Sequence, residues 1–335
     1  MSTTAHAPIA DDWVSLILKS ADPSETWSAI FSRLRDLALA NPGAAALHRE
    51  TIVPDRLLAE SAWSLWEEFP RCAPTVVDEL KRFWTSAPSA GTAALVLDGL
   101  SLRELPLIVQ AGQKRGLSPT RIEVRGAEVP TETDRFAAAM GLPGRSKLYN
   151  NQAPASFIFS GPDVYTDLLD SPFADCVGSI PAKPRLFIWH KWPDEPLIHL
   201  HEDKKEGPAT VATQTKAELG SDGFWALVDR LRQGRRLIIT GDHGYATSSE
   251  FSSEVKDDET VKLLRSVFGA KRCALENPVS PWPRTHLPPL VCRNDGWLVV
   301  MGQCKWIVQG GFPHLCHRGL SLLEAAVPFI EFPAK

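Results

Sequence analysis

The segment Arg236-Leu237-Ile238-Ile239-Thr240-Gly241-Asp242-His243-Gly244 ends an apolar run in an Asp-His pair on a glycine turn. A carboxylate and an imidazole leaving one strand together can both face a single cation, because the glycine that follows adopts backbone conformations a side chain forbids. The same layout recurs at Leu95-Val96-Leu97-Asp98-Gly99-Leu100, where an acid follows a buried-strand pattern. That is the carboxyl edge at which open α/β sheets bind ligands, although a strand ending in Asp-Gly is equally a simple turn. A third element, His317-Arg318-Gly319-Leu320-Ser321-Leu322-Leu323-Glu324, sets a histidine on a glycine turn ahead of a helix, with Ser321 and Glu324 also in capping-box spacing. Together the three supply donors for divalent-metal hydrolysis.

Elements able to position these donors follow from the periodicity. Up to about residue 90 the pattern is helical: Trp13, Leu16 and Ile17, then Trp27, Ile30, Phe31, Leu34 and Leu37, recur at three- and four-residue intervals. Asp22-Pro23-Ser24 and Pro54-Asp55 read as helix starts, and Asn41-Pro42-Gly43 as a break. Trp13, Trp27, Trp63, Trp66 and Trp84 sit at helical spacing, which suits a core, although a docking surface would carry the same residues. From Thr92 onward short apolar runs alternate with helical stretches. Ala93 to Leu97, Ile122 to Val124, Phe157 to Phe159, Leu186 to Trp189 and Leu237 to Ile239 are strand candidates; Leu102 to Lys114, Phe224 to Arg232 and Thr260 to Phe268 are helix candidates. Such alternation predicts an α/β fold, a mostly parallel central sheet with helices on both faces, preceded by a helical N-terminal region. The expected division is 1–90 and 91–335. Trp297 to Met301 and Trp306 to Val308 could add a hairpin.

With these elements in place, three blocks resemble the signatures of PglZ-domain proteins, a branch of the alkaline-phosphatase superfamily. They are Asp98-Gly99-Leu100, Thr240-Gly241-Asp242-His243-Gly244 and His317-Arg318-Gly319-Leu320-Ser321-Leu322-Leu323-Glu324-Ala325-Ala326-Val327-Pro328. The likeness runs from about Thr92 to Phe332 and leaves the helical region unmatched. It implies an alkaline-phosphatase-like sheet and two divalent metal ions, zinc or manganese, used to hydrolyse phosphate esters. It also implies a nucleophilic Thr or Ser in a turn after the first Asp, which maps onto Val129-Pro130-Thr131-Glu132-Thr133 with Gly141 beyond: Thr133 first, Thr131 second. A threonine hydroxyl needs a metal to lose its proton at neutral pH. Read without the flanking blocks, Pro130-Thr131 is simply a helix start.

In the same resemblance Asp98, Asp242 and His243 hold the metal that activates Thr133, while Asp194, His317 and His199 hold the second. The family spaces the last Asp and His four residues apart. Here Asp194 to His199 is five, with Ile198 at the expected position and His201 beyond. The implied activity is a phosphoesterase (phosphodiesterase, nuclease or phosphatase) in bacterial phage defence, with a phosphate ester such as nucleic acid and other defence proteins as partners. The broken spacing motivates a rival, a catalytically degenerate scaffold of the same fold that works by holding partner proteins.

Composition bounds these readings. A chain of 335 residues with 44% hydrophobic and 23% charged residues has the make-up of a globular protein. A formal charge of −4 gives no bulk attraction to nucleic acid, although bound metals would add positive charge that a residue count omits. No leader-like N-terminus and no bilayer-length apolar run is present, so the expected location is cytoplasmic, with no membrane partner. The six cysteines form no C-x-x-C pair, and Cys292, Cys304 and Cys316 are too widely spaced for a zinc knuckle, so all six read as packing residues. A P-loop, a G-x-G-x-x-G turn and a G-x-S-x-G elbow are all missing. Cys72-Ala73-Pro74-Thr75-Val76 lacks the arginine of a sulfatase-type nucleophile motif.

Overall fold

The computed structural model describes residues 8–19, 21–40, 43–86, 91–194, 208–279, 281–283 and 289–335. Five helices open it: α1 (Pro8–Leu18), α2 (Pro23–Ala40), α3 (Ala44–Glu60), α4 (Trp63–Cys72) and α5 (Val76–Thr85). Trp27 of α2 packs on Trp66 and Phe69 of α4 with ring centroids 4.7 and 4.6 Å apart, so these aromatic rings form core. Pro54-Asp55 does not start a helix. Both residues lie inside α3, whose buried face of Leu47, Thr51, Asp55 and Leu58 keeps the helix running through the proline.

Six strands form the central sheet, in the order β2-β13-β5-β1-β4-β3. They are β1 (Gly91–Asp98), β2 (Arg121–Gly126), β3 (Val164–Leu169), β4 (Arg185–Pro193), β5 (Arg235–Gly241) and β13 (Ala326–Phe332). β4 and β5 flank β1 in parallel, β3 extends β4 in parallel, and β13 runs antiparallel between β5 and β2. Alternation along β1 sorts its side chains. Ala93, Leu95 and Leu97 join an apolar cluster with α1 to α4, α6 (Leu105–Lys114) and α10 (Asp222–Leu231), whereas Ala94 and Val96 meet α5 and α7 (Thr133–Ala139) on the opposite face. Helices therefore cover both faces, and a single apolar cluster joins the N-terminal helices to the sheet. The remaining helices are α8 (Phe173–Cys176), α9 (Pro208–Gly220), α11 (Asp258–Phe268) and α12 (Leu322–Ala325).

Two strand expectations change. Phe157 and Phe159 are not in a strand; their rings plug the core against Phe187, with centroids 5.1 and 5.5 Å from it. The edge strand is instead β3, whose mid-strand Asp167 masks the apolar pattern. Residues 297–308 do not fold back as one hairpin. β10 (Trp297–Val300) pairs with β9 (Val291–Asn294) across Asp295-Gly296, both at positive φ as a tight two-residue hairpin turn requires. β8 (Cys273–Leu275) lies on the other side of β10, while β11 (Cys304–Trp306) pairs in parallel with β7 (Ser253–Val255). A last short pair joins β6 (Ala246–Thr247) to β12 (Leu315–Cys316). The six cysteines are unpaired, and five of them are buried. Among the described residues no helix is long and apolar enough to cross a membrane.

Candidate metal centre

Asp98 is the last residue of β1, and Asp242 and His243 follow the last residue of the neighbouring parallel strand β5. Parallel pairing puts both strand ends on one edge of the sheet. One ligand atom from each of the three residues lies within 4.8 Å of the others, and all three side chains are buried. His243 Nε2 is 3.6 Å from Asp242 Oδ2 and 3.8 Å from Asp98 Oδ1.

Local contacts aim each donor. The amides of Gly99 and His243 donate to Asp242 Oδ1 at 2.8 and 3.0 Å, leaving Oδ2 to face the cluster. His243 Nδ1 lies 2.9 Å from the carbonyl of Gly244 and donates to it, which makes Nε2 the nitrogen with a free lone pair. Gly99 is favoured by its backbone, whose φ is +73°; a Cβ there would only reach ordinary contact with Asp194 and His243, at 3.4 and 3.6 Å.

The hydroxyl of Thr133, the first residue of α7, reaches into this cluster. It donates to Asp242 Oδ2 at 2.9 Å and stands 3.2 Å from Asp98 Oδ1 and 3.4 Å from His243 Nε2. One hydroxyl proton can serve only one of three acceptors. Two buried carboxylates and an imidazole nitrogen around one oxygen therefore form an electron-rich cage that a divalent cation fits. Thr131 takes no part in it. Its buried hydroxyl donates to the carbonyl of Gly319 at 3.0 Å and accepts from the Arg318 amide at 2.9 Å, so it clamps the C-terminal block.

His317 arrives from that block. Its ring lies parallel to that of His243, with centroids 4.5 Å apart and planes 7° from parallel, and its Nδ1 is 3.2 Å from the carbonyl of Thr131. Burial first, then the neighbouring His243, holds the His317 imidazole well below its usual pKa, in the neutral form a ligand needs. Asp194 follows β4 and borders Gly99 and His243; burial and then the like charge of Asp242 raise its pKa. The structure thus brings Asp98, Thr133, Asp242, His243, His317 and Asp194 to one sheet edge. His199 and His201 lie outside the described residues.

Sequence reasoning passed over three supports. Arg145, the first residue of a 3-10 helix (Arg145–Asn151), makes an ion pair with Asp98 Oδ2 that no local sequence signal announces. Glu324 is no capping residue: its Oε1 accepts from the Gly319 amide at 2.9 Å and its Oε2 from Ser321 Oγ at 2.6 Å, while buried Arg272 grips both oxygens at 2.9 and 3.0 Å. A Cβ on Gly319 would lie 2.2 Å from Arg272 Nε, so that glycine makes room for the pair. Asp55 of α3 reaches the same block, accepting from the Leu322 amide at 2.7 Å.

No protein-family model matches the chain, and no curated protein sequence matches it. Among solved structures, it is similar to phosphonoacetate hydrolase from Sinorhizobium meliloti 1021 in complex with phosphonoformate. That likeness has 16% identity and a TM-score of 0.46, and covers 74% of this chain and 91% of the hydrolase. It is also similar to an inactive form of murine ectonucleotide pyrophosphatase/phosphodiesterase 5 in complex with AMP, at 13% identity and a TM-score of 0.42, over 72% of this chain and 88% of that one.

Proposed function

We propose that this chain is a metal-dependent phosphoesterase that works by in-line displacement with Thr133 as nucleophile. The observation that carries the reading is the Thr133 hydroxyl, within 2.9 to 3.4 Å of Asp242, Asp98 and His243. Asp98, Asp242 and His243 would hold one divalent ion, zinc or manganese; when bound, such an ion lowers the hydroxyl pKa and offsets charge on the phosphoryl oxygens. The contact with Asp242 Oδ2 fixes the hydroxyl's rotamer. Thr133 Oγ1 then forms a bond to phosphorus as the opposite P–O bond breaks and the leaving group departs, and water later attacks phosphorus to restore Thr133.

His317 and Asp194, with His199, would hold a second ion. The parallel His243 and His317 rings favour two positions over one, since imidazoles sharing a tetrahedral ion converge on it instead of stacking. We further assign the chain to the PglZ branch of the alkaline-phosphatase superfamily, with a cytoplasmic role in bacterial phage defence. The support is that the sequence blocks carrying that resemblance meet at one sheet edge. Metal analysis of the purified protein tests the reading, together with hydrolysis of a chromogenic phosphodiester and monoester by wild type, Thr133→Ala and Asp242→Asn. Bound zinc or manganese with activity lost in both variants is the expected result. Absence of metal, or activity indifferent to Thr133, would end this mechanism, and absence of both metal and activity would leave the scaffold reading in its place.

A further inference from the structure

A cleft of about 290 Å³ opens beside the metal centre, with Gly99, Asp194 and His317 on the metal side and Lys271 and Arg318 among its other lining residues. The two cations are held there by different means. Arg318 is a non-glycine residue at φ +78°, a conformation that costs energy and persists only when neighbours over-determine it. Here Thr131 does so, accepting the Arg318 amide on both its carbonyl and its hydroxyl at 2.9 Å. Among the described residues the Arg318 guanidinium makes one ion pair, with Nε 3.1 Å from Glu132, although the group carries five donors. Lys271 is exposed, and among the described residues no carboxylate pairs with it. Its chain neighbour Arg272 is locked onto Glu324 of the His317 block, which ties the lysine backbone to the metal side. Pro313 and Leu315 add apolar surface to the lining of the same cleft.

We propose that this cleft is a leaving-group subsite for an ester whose leaving group carries a further phosphate, held by Arg318 and Lys271. The proposal rests on the phosphoesterase reading and deepens it. A phosphate of one charge would be served by the metal centre, whereas a guanidinium and an ammonium with no carboxylate partner among the described residues, both lining a small cleft, suit a second anion. The apolar part of the lining, Pro313 and Leu315, suits the organic part that joins the two phosphates.

The test uses the full chain loaded with zinc or manganese and matched thymidine dinucleotides with and without a terminal phosphate. Both hydrolysis and equilibrium binding are read. Wild type is expected to favour the terminally phosphorylated dinucleotide by roughly tenfold, the size of one charge-assisted contact. Lys271→Ala, on an exposed side chain, and Arg318→Gly, which also relieves the positive φ, should each reduce that preference in kcat/KM and in Kd. Equal handling of the two dinucleotides by wild type, or a preference that survives both variants, overturns the proposal. Binding selectivity without hydrolysis of any ester would uphold the subsite and sink the phosphoesterase reading, so the two failures are distinguishable.

Discussion

Asp55, in the third helix, accepts a hydrogen bond of 2.7 Å from the amide of Leu322, 267 residues further along the chain. The other Asp55 oxygen takes Gln303 Nε2 at 2.6 Å, and the residue is buried. One carboxyl thus ties the N-terminal helices to the block that delivers His317.

Burial pushes the Asp55 carboxyl up to about 7 from 3.8, against the lowering effect of its two hydrogen bonds. The folded protein therefore holds a proton that the unfolded chain releases. That contribution to stability is full below 3.8 and is lost as pH rises through about 7. Asp55→Asn removes the titration and keeps the shape. Relative to wild type, its urea midpoint should rise as pH goes from 3.8 to about 7 and level off above. A constant difference across that range would show that Asp55 does not titrate there. Asp55→Ala leaves the Leu322 amide unpaired and should cost about 1–3 kcal/mol at low pH, a cost that shrinks as pH rises towards about 7.

The buried Arg272 and Glu324 pair gives a second stability prediction. Removing one partner strands a charge, so Glu324→Leu alone should cost about 3–5 kcal/mol in denaturant unfolding, and adding Arg272→Met should restore part of that loss. A double variant no better than the single one would show that the pair is not coupled.

For catalysis, Thr133→Ala should lower the hydrolysis rate by on the order of 10³-fold or more while leaving metal affinity within about tenfold. Thr133→Ser, which keeps the hydroxyl, should retain measurable turnover. Equal loss of metal and rate in Thr133→Ala would make the residue a ligand instead of a nucleophile.

Metal removal separates the two candidate positions. Chelation should abolish hydrolysis, and zinc or manganese should restore it. Asp242→Asn and His243→Ala should each weaken binding of the tighter ion by at least about 100-fold, whereas His317→Ala should mainly affect a weaker second equivalent. Calorimetric titration of the stripped protein reads both. A single binding event, unchanged by His317→Ala, would argue against a second ion.

Asp98, Asp242 and His243 were legible in sequence because strand and turn chemistry are local: an apolar run followed by Asp-Gly or Asp-His-Gly fixes the end of a strand within a few residues. The alternation of short apolar runs with amphipathic stretches likewise carried the sheet with helices on both faces. Thr133 was ranked ahead of Thr131 by resemblance, and only the tertiary structure separated their surroundings, one hydroxyl facing three acceptors and the other spent on Gly319 and Arg318. Arg145 and Arg272 carried no local signal, and the local signal at Asp55 pointed to a helix start, since their partners lie far along the chain and a buried charge is explained only by what it meets. Sequence by itself determined that Asp98, Asp242 and His243 sit at strand ends. Parallel pairing of β1 with β4 and β5 decided that those ends share one edge, because register between strands is set by packing that local periodicity does not encode.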